Sequence, residues 1–175
     1  QGSTFTLYLP LHNASDVERI GLQESLDAGH VPLETELDPT VGQAPVIKDA
    51  EILLVEDSPD VRDSMQAMLE NAGAKVFTAS DGQRAIDAIT LGGGGISKVY
   101  DLVLLDMHMP VKNGFDTVSE LRDLGYTGGV IAVTAGVLDG QRQKCLTAGC
   151  DDYLAKPFAI ADLLEKSAVL IQRAR

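Results

Sequence analysis

The sequence predicts an α/β domain built on a doubly wound, five-stranded parallel sheet in the order 2-1-3-4-5, flanked by five helices. Three observations carry that prediction. From Glu51 onward, short apolar runs alternate with stretches of helical period. The runs are almost continuously apolar, as strands covered on both faces are. Alternation of strand and helix implies right-handed crossovers, which place helices on both faces of the sheet.

The strands are read at Glu51–Val55 (EILLV), Lys75–Ala79 (KVFTA), Asp101–Leu105 (DLVLL), Val130–Thr134 (VIAVT) and Asp152–Ala155 (DYLA), all short, mostly aliphatic or β-branched, and bounded by turn formers. The first helix lies in SPDVRDSMQAMLENAG, where Val61, Met65, Met68 and Leu69 repeat at helical spacing. Ser58 and Pro59 supply an N-cap and first residue, and Gly73 a stop. Ala85, Ile86 and Ile89 mark the second helix and Val118, Leu121 and Leu124 the third. The fourth falls in DGQRQKCLTAG, and the fifth carries Ile160, Leu163, Leu164, Ala168 and Ile171. Gly92–Gly95 reads as a flexible connection; without a following Lys-Ser or Lys-Thr it is a poor phosphate cradle.

A chain of 175 residues supports one core of ordinary size plus appendages. Its net charge of -12, from 26 acidic and 14 basic residues, argues against nucleic-acid or anionic-membrane surfaces. Cys145 and Cys150 are too few for a disulfide framework and are expected to pack as small apolar groups in a reducing cytoplasm. No stretch is apolar enough to span a bilayer, and the N-terminus lacks a signal-peptide pattern. Composition changes near Asp49. Residues 13–49 are acidic and proline-spaced and read as an irregular linker, with a short helix over Ser15–Leu26 as the alternative. Residues 50–175 form the α/β domain.

In open parallel sheets of this order, ligands bind outside the carboxyl ends of the strands, where strand order reverses. The polar residues ending strands are therefore the candidates: Glu56 and Asp57 after the first, Asp106 after the third, Thr134 on the fourth and Lys156 after the fifth. Strands one and three are neighbours, so three carboxylates converge. Such a group resists ionisation unless a cation offsets it. All-oxygen ligation favours a hard ion, magnesium, with manganese as a substitute. Asp106 then suits nucleophilic attack on a phosphoryl group, with Thr134 and Lys156 binding its remaining oxygens. Taken singly, Asp106 might equally cap a turn, and Glu56 and Asp57 might only favour a helix N-terminus.

Four segments together resemble the receiver domain of response regulators: Glu56-Asp57, the loop DMHMPVKNG from Asp106 to Gly114, Thr134-Ala135, and DDYLAKPF with Tyr153, Lys156, Pro157 and Phe158. The resemblance implies that Asp106 is the phosphoacceptor, that Asp57 binds the metal with Glu56 assisting, and that the backbone carbonyl of His108 is a further ligand. It also implies that Thr134 moves toward the phosphoryl group while Tyr153 swings inward, altering the face made by helix 4, strand 5 and helix 5. A smaller resemblance covers residues 1–12: GSTFTLYLPL is similar to the last strand of the ATP-binding domain of sensor histidine kinases. Together they point to the C-terminal receiver of a hybrid histidine kinase, a phosphotransferase whose receiver part assists its own phosphorylation and dephosphorylation.

The expected partners are a histidine-kinase dimerisation domain or a histidine phosphotransfer protein, and neither His12 nor His30 sits in a phosphohistidine motif of this chain. With the sequence ending at IQRAR, output through protein contact rather than DNA is expected. The competing readings are a phosphorylation-independent binding module of the same fold and a metal-dependent phosphatase. The phosphatase is disfavoured because such enzymes place an acid two residues after the nucleophile, where this chain has His108.

Overall fold

Strand and helix alternate as expected in the computed structural model, which describes residues 47–90, 95–135 and 140–174. In chain order they are β1 (Glu51–Val55), α1 (Pro59–Asn71), β2 (Lys75–Ala79), α2 (Gly82–Thr90) and β3 (Leu102–Asp106), then α3 (Gly114–Asp123), β4 (Gly129–Thr134), α4 (Gln141–Ala148), β5 (Asp152–Ala155) and α5 (Ile160–Ala174). All neighbours pair in parallel, in the order β2-β1-β3-β4-β5. The expectations for residues 1–46 and for Gly92–Gly94 lie outside the described residues, including the terminal strand, His12, His30, the 15–26 helix and most of the linker.

The two-residue period of the strands explains why they read as unbroken apolar runs. Leu53, Val55, Val103, Leu105, Val130 and Ala132 point to one face and pack with Ile86 and Ile89 of α2 and Val118 and Leu121 of α3. Ile52, Leu54, Leu102, Leu104, Ile131 and Val133 point to the other and meet Met65 and Leu69 of α1 and Leu163, Ala168 and Ile171 of α5. On β1, β3 and β4 neither face meets water, so neither needs polar residues, whereas the edge strand β2 is largely exposed. Ile47 also belongs to the second cluster, three residues ahead of the expected domain start at Ala50. Cys145 and Cys150 are buried and unbridged, and burial pushes the Cys150 thiol up to about 12, so both pack as neutral groups.

The differences from expectation fall at element ends. The third strand begins at Leu102, because Asp101 turns its carboxylate onto the Glu51 N–H (2.8 Å) and closes the base of the sheet instead. Ser58 occupies the N-cap position of α1 with extended backbone but makes no side-chain cap bond. Val61, Leu124 and Ile160, expected on buried stripes, are 36%, 37% and 49% exposed. Each lies in a terminal turn of its helix or just past one.

Parallel strands put all five carboxyl ends on one side, and the packed centre holds them there. Leu104, fully buried on the central strand, sets the test: Leu104→Ala should lower unfolding free energy by about 2–5 kcal/mol in urea denaturation, against less than about 0.5 kcal/mol for exposed positions.

Candidate functional site

β1 and β3 are paired through Val55 and Leu105, so the residues that follow them emerge side by side. Chain connections leave β1 and β3 toward opposite halves of the sheet, opening the crevice at the switch point. One carboxylate oxygen each from Glu56, Asp57 and Asp106 lies within 4.8 Å of the others. The fifth strand brings Lys156 over them. Its Nζ donates to Glu56 Oε2 and Asp106 Oδ2, both at 2.6 Å, joining positions 100 and 50 residues away in sequence.

The loop after β3 orients Asp106. Met107 and Met109 are buried and His108 between them is exposed, so the chain zigzags outward at His108. The His108 N–H donates to Asp106 Oδ1 at 2.8 Å, which occupies one carboxylate oxygen while Lys156 holds the other. The loop then returns to the sheet. The Gly114 N–H donates to Met107 O, and a Cβ at Gly114 would collide with the carbonyl of Asp106, so only glycine lets α3 start this close. Asn113 caps α3, its side chain accepting from the Asp116 N–H at 2.9 Å.

Burial and charge oppose each other here. Glu56 is 2% and Asp106 7% exposed, whereas Asp57 is half-buried and faces the opening. Burial raises the Glu56 carboxyl above its usual range, with the hydrogen bond from Lys156 pulling it partly back and the Asp106 charge adding to the rise. Burial alone would lower the Lys156 ammonium, but its bonds to Asp106 and Glu56 outweigh that and raise it, so it stays charged. One lysine against three carboxylates leaves an excess of negative charge in a low-dielectric recess. A hard divalent cation suits this donor set.

Thr134 is fully buried at the end of β4, in register with Ala155. Tyr153, in register with Ala132, lies on the same face of the sheet two residues back. Its half-buried ring has the Arg142 guanidinium of α4 at 5.9 Å and the Lys166 ammonium of α5 at 5.8 Å. The structure therefore brings Glu56, Asp57, Asp106 and Lys156 together directly, and sets Tyr153 apart between two helices. His108 is exposed, with its ring edge-on to Phe115.

One contributor escapes a sequence reading. Arg62 of α1 donates from Nη1 to the Glu56 carbonyl at 2.9 Å, fixing the backbone that carries the acidic pair. As a polar residue on a surface helix, it shows no pattern in sequence; only its closeness to a main-chain oxygen gives it a role.

An acidic triad bridged by a lysine at the switch point of a 2-1-3-4-5 sheet defines a class, the receiver modules of two-component signalling. The model of the response regulator receiver domain matches residues 52–168, and the chain belongs to that family. It is 32% identical over 151 residues to the sensor histidine kinase RcsC of Salmonella typhi, covering 86% of this chain but 15% of RcsC. Among solved structures it resembles the receiver domain of Francisella response regulator 1452 (26% identity, TM-score 0.67, 73% of this chain and 100% of that one). It also resembles the receiver domain of the sensor histidine kinase PA1611 of Pseudomonas aeruginosa, a structure with a magnesium ion coordinated in its active-site cleft (36% identity, TM-score 0.63, 71% of this chain and 98% of that one).

The bridging ammonium makes a measurable prediction. Lys156→Ala leaves Glu56 and Asp106 facing each other without a counter-charge, and should cost about 1–3 kcal/mol of stability in metal-free buffer. Urea midpoints with EDTA check it, and an unchanged midpoint would mean that the bridge contributes nothing.

Proposed function

We propose that this domain accepts a phosphoryl group from phosphohistidine onto Asp106, with magnesium, and so switches the face formed by α4, β5 and α5. The observation that carries this reading is the double bond of Lys156 to Glu56 and Asp106 within a three-carboxylate cluster. In the reaction an Asp106 oxygen attacks phosphorus, the P–N bond breaks, and the departing imidazole keeps its electron pair and takes a proton from solvent. Asp57 and Asp106 would hold the metal with Glu56 assisting, and the His108 carbonyl would be a further ligand. Magnesium, when bound, supplies positive charge to the phosphoryl oxygens and relieves the repulsion among the carboxylates.

The protein's own groups do the positioning. His108 N–H fixes one Asp106 oxygen and so aims the other. Lys156 stays cationic and is placed to neutralise charge developing on a phosphoryl oxygen. Thr134 offers its hydroxyl at the end of the neighbouring strand. Since Tyr153 shares that sheet face, movement of Thr134 toward a new phosphoryl group would vacate space that the Tyr153 ring can enter.

A groove of about 410 Å³ beside Lys156 supports a protein donor. It is lined by Val61, Met65 and Met68 of α1 and by Pro157 and Phe158, an apolar surface suited to a helix of a histidine-kinase dimerisation domain or a histidine phosphotransfer protein. The N-terminal resemblance together with the likeness to RcsC and PA1611 supports origin in a hybrid histidine kinase, and the two buried, unbridged cysteines suit the cytoplasm as its setting.

Incubated with acetyl phosphate and magnesium, the wild type should gain a hydroxylamine-labile phosphoryl group that Asp106→Asn does not. EDTA should slow the reaction about a hundredfold or more, the scale on which one preorganised charge acts. Equal labelling of Asp106→Asn would overturn the assignment. A wild type that is never labelled yet still binds a kinase core would favour the phosphorylation-independent module.

A further inference from the structure

Among the described residues outside the acidic cluster, Arg122, at the end of α3, ties together distant segments of chain. Its guanidinium makes four hydrogen bonds to two separate segments. Nη1 donates to Tyr126 O (2.7 Å) and Gly128 O (2.9 Å) in the turn before β4, Nε donates to Gly149 O (2.9 Å) just after α4, and Nη2 pairs with Asp151 Oδ2 (2.9 Å) just before β5. The same Asp151 oxygen accepts the Val130 N–H at 2.8 Å, and the Asp151 N–H donates to Val130 O at 2.8 Å. The Cys150 N–H, between them, returns to Cys145 O inside α4 at 3.1 Å. The Gly149 backbone has φ +112, and a Cβ there would press to 2.8 Å from Arg122 Cγ, so glycine is what lets the guanidinium close on the helix end.

Among the described residues, the other end of α4 has no comparable side-chain tether. Its N-cap is Gly140, which has φ +98 and no side chain with which to bond the first turn. Cys145 is the one buried residue of the helix. A mainly apolar groove of about 590 Å³ runs between α4 and Phe115 of α3, lined by Gln143, Lys144 and Thr147. Because α4 runs antiparallel to the strands, its loosely capped end is on the side of Asp106 and Thr134, and its tethered end is at the opposite side of the sheet.

We propose that Arg122 and Asp151 pin the C-terminal end of α4 to the base of β4 and β5, so that phosphorylation displaces the helix by rocking its N-terminal half about Gly149. The inference rests on the phosphoacceptor reading and adds to it the pivot. A guanidinium suits this task because its planar fork reaches several carbonyls at fixed angles, which an ammonium cannot do. The groove gives the unpinned half room to move, and β5 with Tyr153 follows directly from the pinned segment. Arg122 is thus a positioning residue, remote from the chemistry.

Amide hydrogen exchange and amide spectra of the whole chain, with magnesium and with or without beryllofluoride, test the pin. Without beryllofluoride, Arg122→Ala and the milder Asp151→Asn should each speed exchange of the Cys150, Asp151 and Val130 amides about tenfold, while α1 amides are unchanged. Arg122→Lys should fall between these and the wild type. With beryllofluoride, wild-type shifts in α4 should be concentrated in Gln141–Lys144 and small at Leu146–Asp151, and in Arg122→Ala they should spread through Asp151. Unchanged exchange in both variants, or wild-type shifts spread evenly along α4, would overturn the pin while leaving Asp106 as phosphoacceptor. Beryllofluoride that moves no resonance near Asp106 would instead overturn the phosphoacceptor reading and the switching role together, with the exchange measurement still reporting whether the tether exists.

Discussion

The structure turns on a conflict of like charges. Glu56, Asp57 and Asp106 are driven together because their strands are neighbours at the centre of a parallel sheet, and two of them are almost wholly buried. Carboxylates so placed repel, and desolvation adds to the cost. The Lys156 ammonium, bonded to Glu56 and Asp106, offsets part of that charge and leaves the remainder as a standing demand for a cation. The demand is what makes the recess useful. A site already neutral would have little affinity for a divalent ion, and one without lysine would hold Asp106 less firmly.

Among the described residues, several contacts hold the backbone that carries the cluster. The loop from Met107 to Asn113 is tied by two buried methionines and a glycine pressed against the Asp106 carbonyl. Arg62 holds the Glu56 main chain, and the Glu56 N–H is itself bonded to Ala79 O at the end of β2. The acidic side chains therefore stand on backbone that is fixed from three directions. On the proposed reading, this held backbone would carry the chemistry and α4, whose N-cap Gly140 makes no side-chain bond, would respond to it.

The α4 side of the sheet shows the same division at larger scale. α1 buries Met65 and Leu69 and α5 buries Leu163, Leu164, Leu170 and Ile171 against one face, whereas α4 buries only Cys145. Few apolar contacts mean a low cost of displacement. On the proposed pivot, tethering by polar bonds at one end would set the direction of any movement, because hydrogen bonds to fixed carbonyls resist translation but tolerate rotation about a glycine.

The sequence by itself determined the layers, their order along the chain and the chemistry of the strand ends. Apolar runs such as Leu102–Leu105 are long enough to require cover on both faces, and Asp106, Thr134 and Lys156 interrupt apolar surroundings where only a crevice would accept them. Tertiary structure alone decided which groups touch. Asp101 reads as a strand residue until its carboxylate is found on the Glu51 N–H, and Ser58 reads as a cap until its side chain makes no cap bond. Arg62 and Arg122 carry no signal at all, since Arg62 acts on a main-chain oxygen and Arg122 on three of them besides the Asp151 carboxylate, and every residue has a main-chain oxygen. Side-chain pattern records burial, which repeats along the chain; a bond between a guanidinium and a distant carbonyl depends on a single approach in space, and leaves no period to read.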